Sequence, residues 1–241
     1  MEQNQPISQH QTLNHKQGIL FVVATPIGNL GDVSGRALET LTTADVVVCE
    51  DTRVTKKLLD RYNVQARLLS VHQHSSQARI TEVIGLLRNG KTVALVADAG
   101  TPGVSDPGGM LAAAAYDAGV KVVAVPGPSA VTAALSVSGL PTDRFTFLGW
   151  LPHKKGRQTM LQALVDSSYT IIFFESPHRI MKTLERLKEL LDDGRMVVVC
   201  RELTKVFEET VRGSAGYVYD VFANNPGKVR GEFVVVVGPP V

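Results

Sequence analysis

ITEVIGLLRNGKTVALVADAGTPGVSDPGGMLAAAAYDAG, residues 80–119, is the stretch that decides the fold. Its opening, ITEVIGLLRNG, reads as a helix stopped by Gly90. TVALVA (92–97) is continuously apolar, which predicts a strand buried on both faces, as in a parallel sheet. DAGTPGVSDPG (98–108) ends that strand, and Ser105 or Asp106 ahead of Pro107 opens a second helix over 107–118. The AAAA run inside this helix permits close packing on a sheet. Helix, strand, loop and helix in that order make an α/β unit. The same stretch holds GLLRNGKT (85–92), which matches the phosphate-loop pattern G-x-x-x-x-G-K-T letter for letter. A phosphate loop needs its strand before and its helix after, so that backbone amides and the helix dipole meet the phosphates. Here the order is reversed, and no G-x-G-x-x-G occurs either, so neither nucleotide signature applies.

Outward from this unit the pattern repeats. Apolar runs fall at Ile19–Ala24, Val46–Cys49, Arg67–Ser70, Val120–Val125, Arg144–Leu148, Thr170–Phe174, Met196–Cys200 and Phe233–Val237. A helix is predicted over 177–191, with Ser176 as cap, Pro177 in the first turn, and Ile180, Leu184, Leu187 and Leu191 on one face. Five βα units run to residue 138. Gly, Pro and charge cluster between GLPTDRF (139–145) and GWLPHKKGR (149–157), and there the chain divides. The expected organisation is a polar tail (1–17), an N-terminal α/β domain (18–138) and a C-terminal α/β domain (139–241). In the latter, EETVRG (208–213) has no obvious crossover after it and is expected to pair antiparallel. A β/α barrel is the runner-up fold, disfavoured because the final strand has no helix after it.

Composition narrows the function. The 241 residues are 44% hydrophobic and 20% charged, ordinary for a globular chain. Net charge is +2, which excludes blanket electrostatic binding and leaves only local basic patches. Residues 18–149 carry 11 basic and 11 acidic groups and residues 150–241 carry 13 and 11, so the excess lies in the C-terminal part. Cys49 and Cys200 each end a VVVC run and read as buried reduced thiols, with no disulfide or zinc framework. Apolar runs of about six residues are too short to span a membrane. The first 17 residues lack a signal-peptide core, and a cytoplasmic protein is expected.

The informative loops each begin where an apolar run stops: TPIGNLGD (25–32), DAGTPGVSDPG (98–108) and VPGPSAV (125–131). In open α/β sheets ligands sit at the carboxyl ends of the strands. Between Lys91 and Arg144 the only basic residue is Lys121, at a strand start. A phosphate-bearing ligand usually recruits Lys or Arg. S-adenosylmethionine, with a sulfonium, an ammonium and one carboxylate, suits acid side chains and bare amides, and Asp98 stands at a strand end to meet its ammonium or ribose.

TPIGNLGD, CEDTR (49–53), DAGTPGVSDPG, PGPSA, FFESPHR (173–179) and RELTK (201–205) resemble the tetrapyrrole methylase superfamily, from about Gly18 to Val237. Within it the chain is most similar to members that methylate a ribose 2′-hydroxyl of a cytidine in the decoding centre of small-subunit (16S) ribosomal RNA. The resemblance implies the class III methyltransferase fold, two α/β domains with S-adenosylmethionine in the cleft between them, a homodimer, and the small ribosomal subunit as partner, with no metal. It assigns cofactor contacts to Pro26, to Asp98, Ala99, Gly100 and Thr101, to Ser129 and Ala130, and on the second domain to Phe174, Glu175 and Leu203. Glu50 aligns with an acidic residue facing the acceptor in tetrapyrrole-modifying relatives. Members often continue past GEFVVVV (231–237) into a small helical extension, whereas this sequence stops at Val241, so RNA affinity is expected to suffer more than cofactor binding.

A ribose hydroxyl is a poor nucleophile and needs a base or charged neighbour. Glu50 or Asp51 is expected as base or orienter, with Arg53 holding a phosphate; Asp51 or Thr52 can equally cap the helix that follows. His72 and His74 read as loop histidines or acceptor contacts rather than metal ligands. His153, Lys154, Lys155 and Arg157, beside Trp150, are the densest basic patch, a grip on RNA or a plain charged linker. Glu175 and Ser176 line the cleft or end a strand and cap a helix. The competing functions are a methylase of a small acceptor such as a tetrapyrrole, or of a modified protein residue, and a non-catalytic RNA-binding assembly module.

Overall fold

A computed structural model of the protein describes residues 17–72 and 77–240. Among them, ten strands form two open five-stranded sheets, and neither closes into a barrel. The first holds β1 (Ile19–Val23), β2 (Val46–Cys49), β3 (Leu68–Ser70), β4 (Val93–Val96) and β5 (Lys121–Val125), all parallel, in the order β3-β2-β4-β1-β5. Helices α1 (Gly35–Thr43) and α2 (Thr52–Arg61) cover one face, and α3 (Gln77–Arg88) and α4 (Gly108–Asp117) cover the other. Alternation along each strand feeds the two layers. Val46, Val48, Val93 and Leu95 pack with Leu87 and Leu111, while Val47, Cys49, Ala94 and Val96 pack with Ala37, Leu41 and Leu59. Burial on both faces is why these strands read as unbroken apolar runs. GLLRNGKT lies across the end of α3 and the start of β4, helix before strand, the reverse of a phosphate loop.

The second sheet is mixed. β6 (Phe145–Trp150) runs parallel to β7 (Thr170–Glu175), while β10 (Phe233–Val237) lies antiparallel between β7 and β8 (Met196–Arg201). β9 (Glu209–Ser214) pairs antiparallel with β8, as EETVRG suggested. A crossover helix does follow it, however: α8 (Ala215–Ala223) leads round to β10, with Ser214 as its cap. Together with α6 (Arg157–Val165) and α7 (Ile180–Leu190), α8 buries Phe173, Val199, Phe222 and Phe233 on one face of the sheet.

The opposite face is covered by α5 (Ala130–Ser138), which belongs by sequence to the first half. Its Val131, Ala134 and Leu135 pack on Ile172, Val198, Cys200, Val234 and Val236. The helix before residue 139 is therefore built into the second sheet, and it fastens the two sheets together. One helix start differs from expectation and another chooses between the two residues expected. α7 begins at Ile180 rather than 177, because Pro177–Arg179 form a turn in which the Ser176 carbonyl accepts from the Arg179 and Ile180 amides. Its expected apolar face is nonetheless the buried one: Ile180, Leu184, Leu187 and Leu191 all lie in the core. At α4 the acceptor is Asp106, whose Oδ1 takes the Gly108 amide at 2.7 Å and the Gly103 amide at 2.8 Å.

Candidate active site

The carboxyl ends of β1, β2, β4 and β5 all open toward the second sheet, and their loops are tied to one another. Thr25 and Gly100 exchange backbone hydrogen bonds of 2.9 and 3.0 Å, and the Thr25 hydroxyl donates to the Ala97 carbonyl. Gly100 has φ +78°, and a Cβ there would stand 3.3 Å from Ile27, so glycine is what lets the two loops close. The Thr101 hydroxyl donates to the Pro128 carbonyl, and the Asp51 amide donates to Asp98 Oδ1 at 3.1 Å. Four separate loops thus form one wall. The opposite wall comes from the second sheet, through Phe174, Cys200, Leu203, Phe233 and Val234.

Between the walls lies a cavity of about 230 Å³. Glu50, Asp98, Asp106 and Glu232 line it, and among the described residues no Lys, Arg or His does. Burial raises the Glu50 carboxyl above its usual range and the negative charges of Asp98 and Asp106 raise it further, while His72 nearby pulls the other way and offsets part of the rise. Lys205 offsets the charge of Glu232 at 3.0 Å, and the other three carboxylates make a cavity that repels phosphates and attracts a cation. Its far end is apolar, with Leu203 buried and Phe174 edge-on to Phe147 at 5.0 Å. A second recess of about 410 Å³ shares Glu50, Ser105 and Asp106 with the first and continues to Pro107 and Met110.

Nine of the residues singled out from the sequence meet in the cavity wall: Glu50, Asp98, Ala99, Gly100, Thr101, Ser129, Ala130, Phe174 and Leu203. Ser129 occupies the cap position of α5, yet its hydroxyl makes no capping bond. Four others lie elsewhere. Pro26 is buried behind the wall, and its neighbour Ile27 reaches the cavity instead. Asp51 caps α2, accepting from the Arg53 amide at 2.8 Å and pairing with the Arg53 guanidinium at 2.6 Å. That guanidinium holds the Asp51 carboxyl down at about 2. Arg53 itself is 87% exposed.

Glu175 is a correction. Successive residues of a strand face opposite sides, so Phe174 on the cavity side sends Glu175 into the other core. There it is fully buried, held at 2.8 Å by both Arg157 and Arg179 and at 2.7 Å by the Thr183 hydroxyl. Ser176 caps no helix amide; its hydroxyl accepts from Arg179 Nε. Of the pair His72 and His74, the second lies outside the described residues. Among the described residues no group of three or more His, Cys, Asp or Glu is placed to hold a metal, and no helix is long and apolar enough to cross a membrane.

Sequence reasoning missed Trp150 as a wall residue. Phe147 pairs with Ile172 and Trp150 with Phe174, so β6 advances three residues while β7 advances two. This bulge returns Trp150 to the cavity side, where its ring meets that of Phe174 edge-on at 5.5 Å. Gly149, at φ +64°, makes the bulge, and a Cβ there would stand 3.0 Å from the Ser105 hydroxyl. The GW dipeptide at a strand end was the only available signal. The RELTK corner acts as a clasp. Lys205 bonds Glu202 and Glu232 and lies over Gly28, where a Cβ would collide with the lysine stem, so the corner that presents Leu203 also clasps the first loop.

Residues 20–218 match the model of the family described as Tetrapyrrole (Corrin/Porphyrin) Methylases. A protein named ribosomal RNA small subunit methyltransferase I from Mesorhizobium japonicum is 50% identical over 223 residues, 91% of this chain and 75% of that protein. Proteins of the same name from Synechocystis and Escherichia coli O157:H7 are 47% identical over 221 residues and 42% identical over 232, covering 78% and 81% of their own lengths. Among solved structures, a cobalt precorrin-4 methyltransferase superposes with a TM-score of 0.66 at 21% identity, over 92% of this chain and 94% of its own. A uroporphyrin-III-C-methyltransferase from Thermus thermophilus gives 0.60 at 21%, with the same coverage. These two likenesses establish the shared two-domain fold.

Proposed function

The chain belongs to the tetrapyrrole methylase family, and from that premise we propose that it is an S-adenosylmethionine-dependent methyltransferase of small-subunit ribosomal RNA. The finer form of the reading is transfer to the 2′-hydroxyl of a cytidine ribose, by a homodimer in the cytoplasm acting on the ribosomal subunit. The names of the relatives, at 42–50% identity over most of the chain, support the acceptor. One observation carries the donor: a cavity between two sheets lined, among the described residues, by four carboxylates and no cation, with an apolar far end. When bound, S-adenosylmethionine supplies an electrophilic methyl group on a positively charged sulfur.

The chain's own residues divide the remaining work. Asp98 and the backbone amides of Ala99 and Thr101 serve the polar, cationic part of the donor, while Leu203, Phe174 and Val234 take its apolar surface. Glu50 stands where the main cavity and the adjoining recess meet. There it orients the acceptor hydroxyl and takes its proton, for which a carboxyl raised above the usual range is better suited than an ordinary one. Holding hydroxyl and methyl in line supplies much of the rate. Asp51 is committed to Arg53 and to the helix cap, so the base assignment goes to Glu50. Arg53, exposed at the same strand end, would have to share its guanidinium between Asp51 and a phosphate of the RNA.

Two measurements test this. Calorimetric titration with S-adenosylmethionine is expected to show one site per chain, and no binding at millimolar ligand overturns the enzyme. Labelled methyl transfer to small subunits from cells lacking the modification then tests the acceptor. A bound donor with no label in the ribose points instead to a small-molecule acceptor.

A further inference from the structure

Residues 150–157 connect β6 to α6 at the rim of the cavity, and their construction is unlike that of an ordinary linker. Trp150 is half exposed, with one edge against Phe174 and the bulge behind it. Val104 and Met110, both partly exposed, line the same cavity and the recess that adjoins it. Beyond the tryptophan, His153, Lys154 and Lys155 are exposed, and none of them joins an ion pair among the described residues. Arg157 does not belong with them. Its guanidinium turns inward to the buried Glu175 and also donates to the Pro152 carbonyl at 3.2 Å. Arg179 binds the other oxygen of Glu175 and donates to the Leu151 carbonyl at 2.8 Å. Leu151 is buried in the core below, and Gly156 at φ +84° turns the chain into α6. One buried carboxylate, acting through two arginines, therefore fixes the segment at both ends. The two arginines outweigh it by one charge, which adds to the positive field of the lysines above.

An aromatic face beside a reaction cavity, followed by unpaired cations on a rigid turn, is the arrangement that holds a single strand of nucleic acid. A base stacks on the ring, and the flanking phosphates meet the lysines. The acid-lined cavity adds to the selection, since it accepts a ribose and rejects a phosphate. We propose that residues 150–157 form an RNA-reading arm, in which Trp150 stacks an unpaired base at the cavity mouth, Lys154 and Lys155 pair with the adjoining phosphates, and Glu175 is the positioning residue that sets the arm's shape. This rests on the ribosomal RNA reading above and identifies what that site grips: an unstacked nucleotide with its neighbouring backbone.

Trp150 is the chain's only tryptophan, so its emission reports on the arm directly. Titration with a single-stranded RNA oligonucleotide is expected to quench it, and a saturating titration without quenching overturns the stacking role. In methyl transfer to unmodified small subunits, Trp150→Ala is expected to raise KM by about tenfold or more, with Trp150→Phe recovering most of the loss. The double variant Lys154→Ala/Lys155→Ala is expected to keep its kcat and its affinity for S-adenosylmethionine. Its KM rises, and the slope of log affinity against log salt falls by roughly 1.5. Glu175→Gln should reproduce that KM effect while leaving the exposed cations in place; if it does not fold, Arg157→Lys, which keeps the charge and loses the fork, replaces it. Wild-type KM and salt slope in the lysine variant overturn the proposal. If the wild type binds the donor but labels no ribosomal RNA, the functional reading fails by itself. The arm is then judged on oligonucleotide affinity alone, where equal binding by wild type and Trp150→Ala overturns it.

Discussion

Two neighbouring carboxylates, Glu50 and Asp51, end the same strand and are driven in opposite directions by their surroundings. Asp51 faces a guanidinium and stays ionised; Glu50 faces a half-buried wall shared with Asp98 and Asp106 and binds its proton more tightly. This gives Glu50→Gln an unusual signature. Methyl transfer should fall by about 10²–10⁴-fold, with affinity for S-adenosylmethionine retained. A carboxyl whose folded pKa is raised stabilises the fold at acid pH and loses that contribution as pH rises through the folded value. At neutral pH the substitution should therefore leave the melting temperature unchanged or slightly raised, and a fall of several degrees would refute the assignment. The wild-type rate, limited by the ionised form, should rise with pH through a midpoint above the ordinary glutamate range, and the glutamine variant should lack that limb. The thiols make a second prediction. Burial raises Cys49 and takes Cys200 up to about 11, and both side chains are fully buried. A disulfide reagent at pH 8 should titrate no thiol in the folded protein and two after denaturation; rapid reaction of the folded protein would show that the cavity opens at Cys200.

Where an element has a uniform environment, its sequence displays it. The strand runs were legible because sheets covered by helices on both faces demand apolar residues at every position, and the parallel first sheet followed from the loop after each run. The cavity loops were legible for the same reason: Gly, Pro and small polar residues cluster where strands stop. Legibility ended where an element departs from regularity. A strict two-residue period extended past Phe147 misplaces Trp150, because nothing in FTFLGW announces that Leu148 and Gly149 together oppose a single position of β7. Glu175 was misplaced by motif transfer, although alternation from Phe174 already pointed it away from the cavity. The packing of α5 on the second sheet is a long-range fact, and its small apolar face would suit either sheet. The bulge yields the prediction that belongs to this scale. Gly149→Ala places a side chain in a left-handed conformation, at a cost of about 1–2 kcal/mol, and against the Ser105 hydroxyl. The variant should unfold at lower denaturant concentration. Its Trp150 emission should shift, because relieving the bulge turns the ring off the cavity wall. A shifted midpoint with unchanged emission would show that the bulge survives without glycine.

At the scale of the molecule, near-neutral net charge divides into an acidic cavity and basic features placed outside it, on Arg53 and on the 150–157 segment. The cavity belongs to neither sheet alone, since its walls are the loops of the first and the β6, β7, β8 and β10 face of the second. A ligand between them binds the folded chain and not the unfolded one, so it must stabilise both halves together. At a hundred times its dissociation constant S-adenosylmethionine should add about 2.7 kcal/mol, which for a chain of this length raises the melting temperature by about 5–10 °C. Charge decides which ligands share the effect. ATP and NAD carry an adenosine of similar shape, but their phosphates would enter a wall of four carboxylates, and GLLRNGKT lies at the wrong end of its strand to receive them. Neither should shift the melt at millimolar concentration. S-adenosylhomocysteine keeps the ammonium and loses the sulfonium charge, so it should stabilise less than the donor does. That gap should narrow as salt is raised, because screening weakens the attraction of the partly exposed carboxylates for the extra charge. Equal shifts from product and donor at low salt would mean that the carboxylates lie too far from the sulfur to sense it, and the acidic wall would then have to be assigned to the acceptor side.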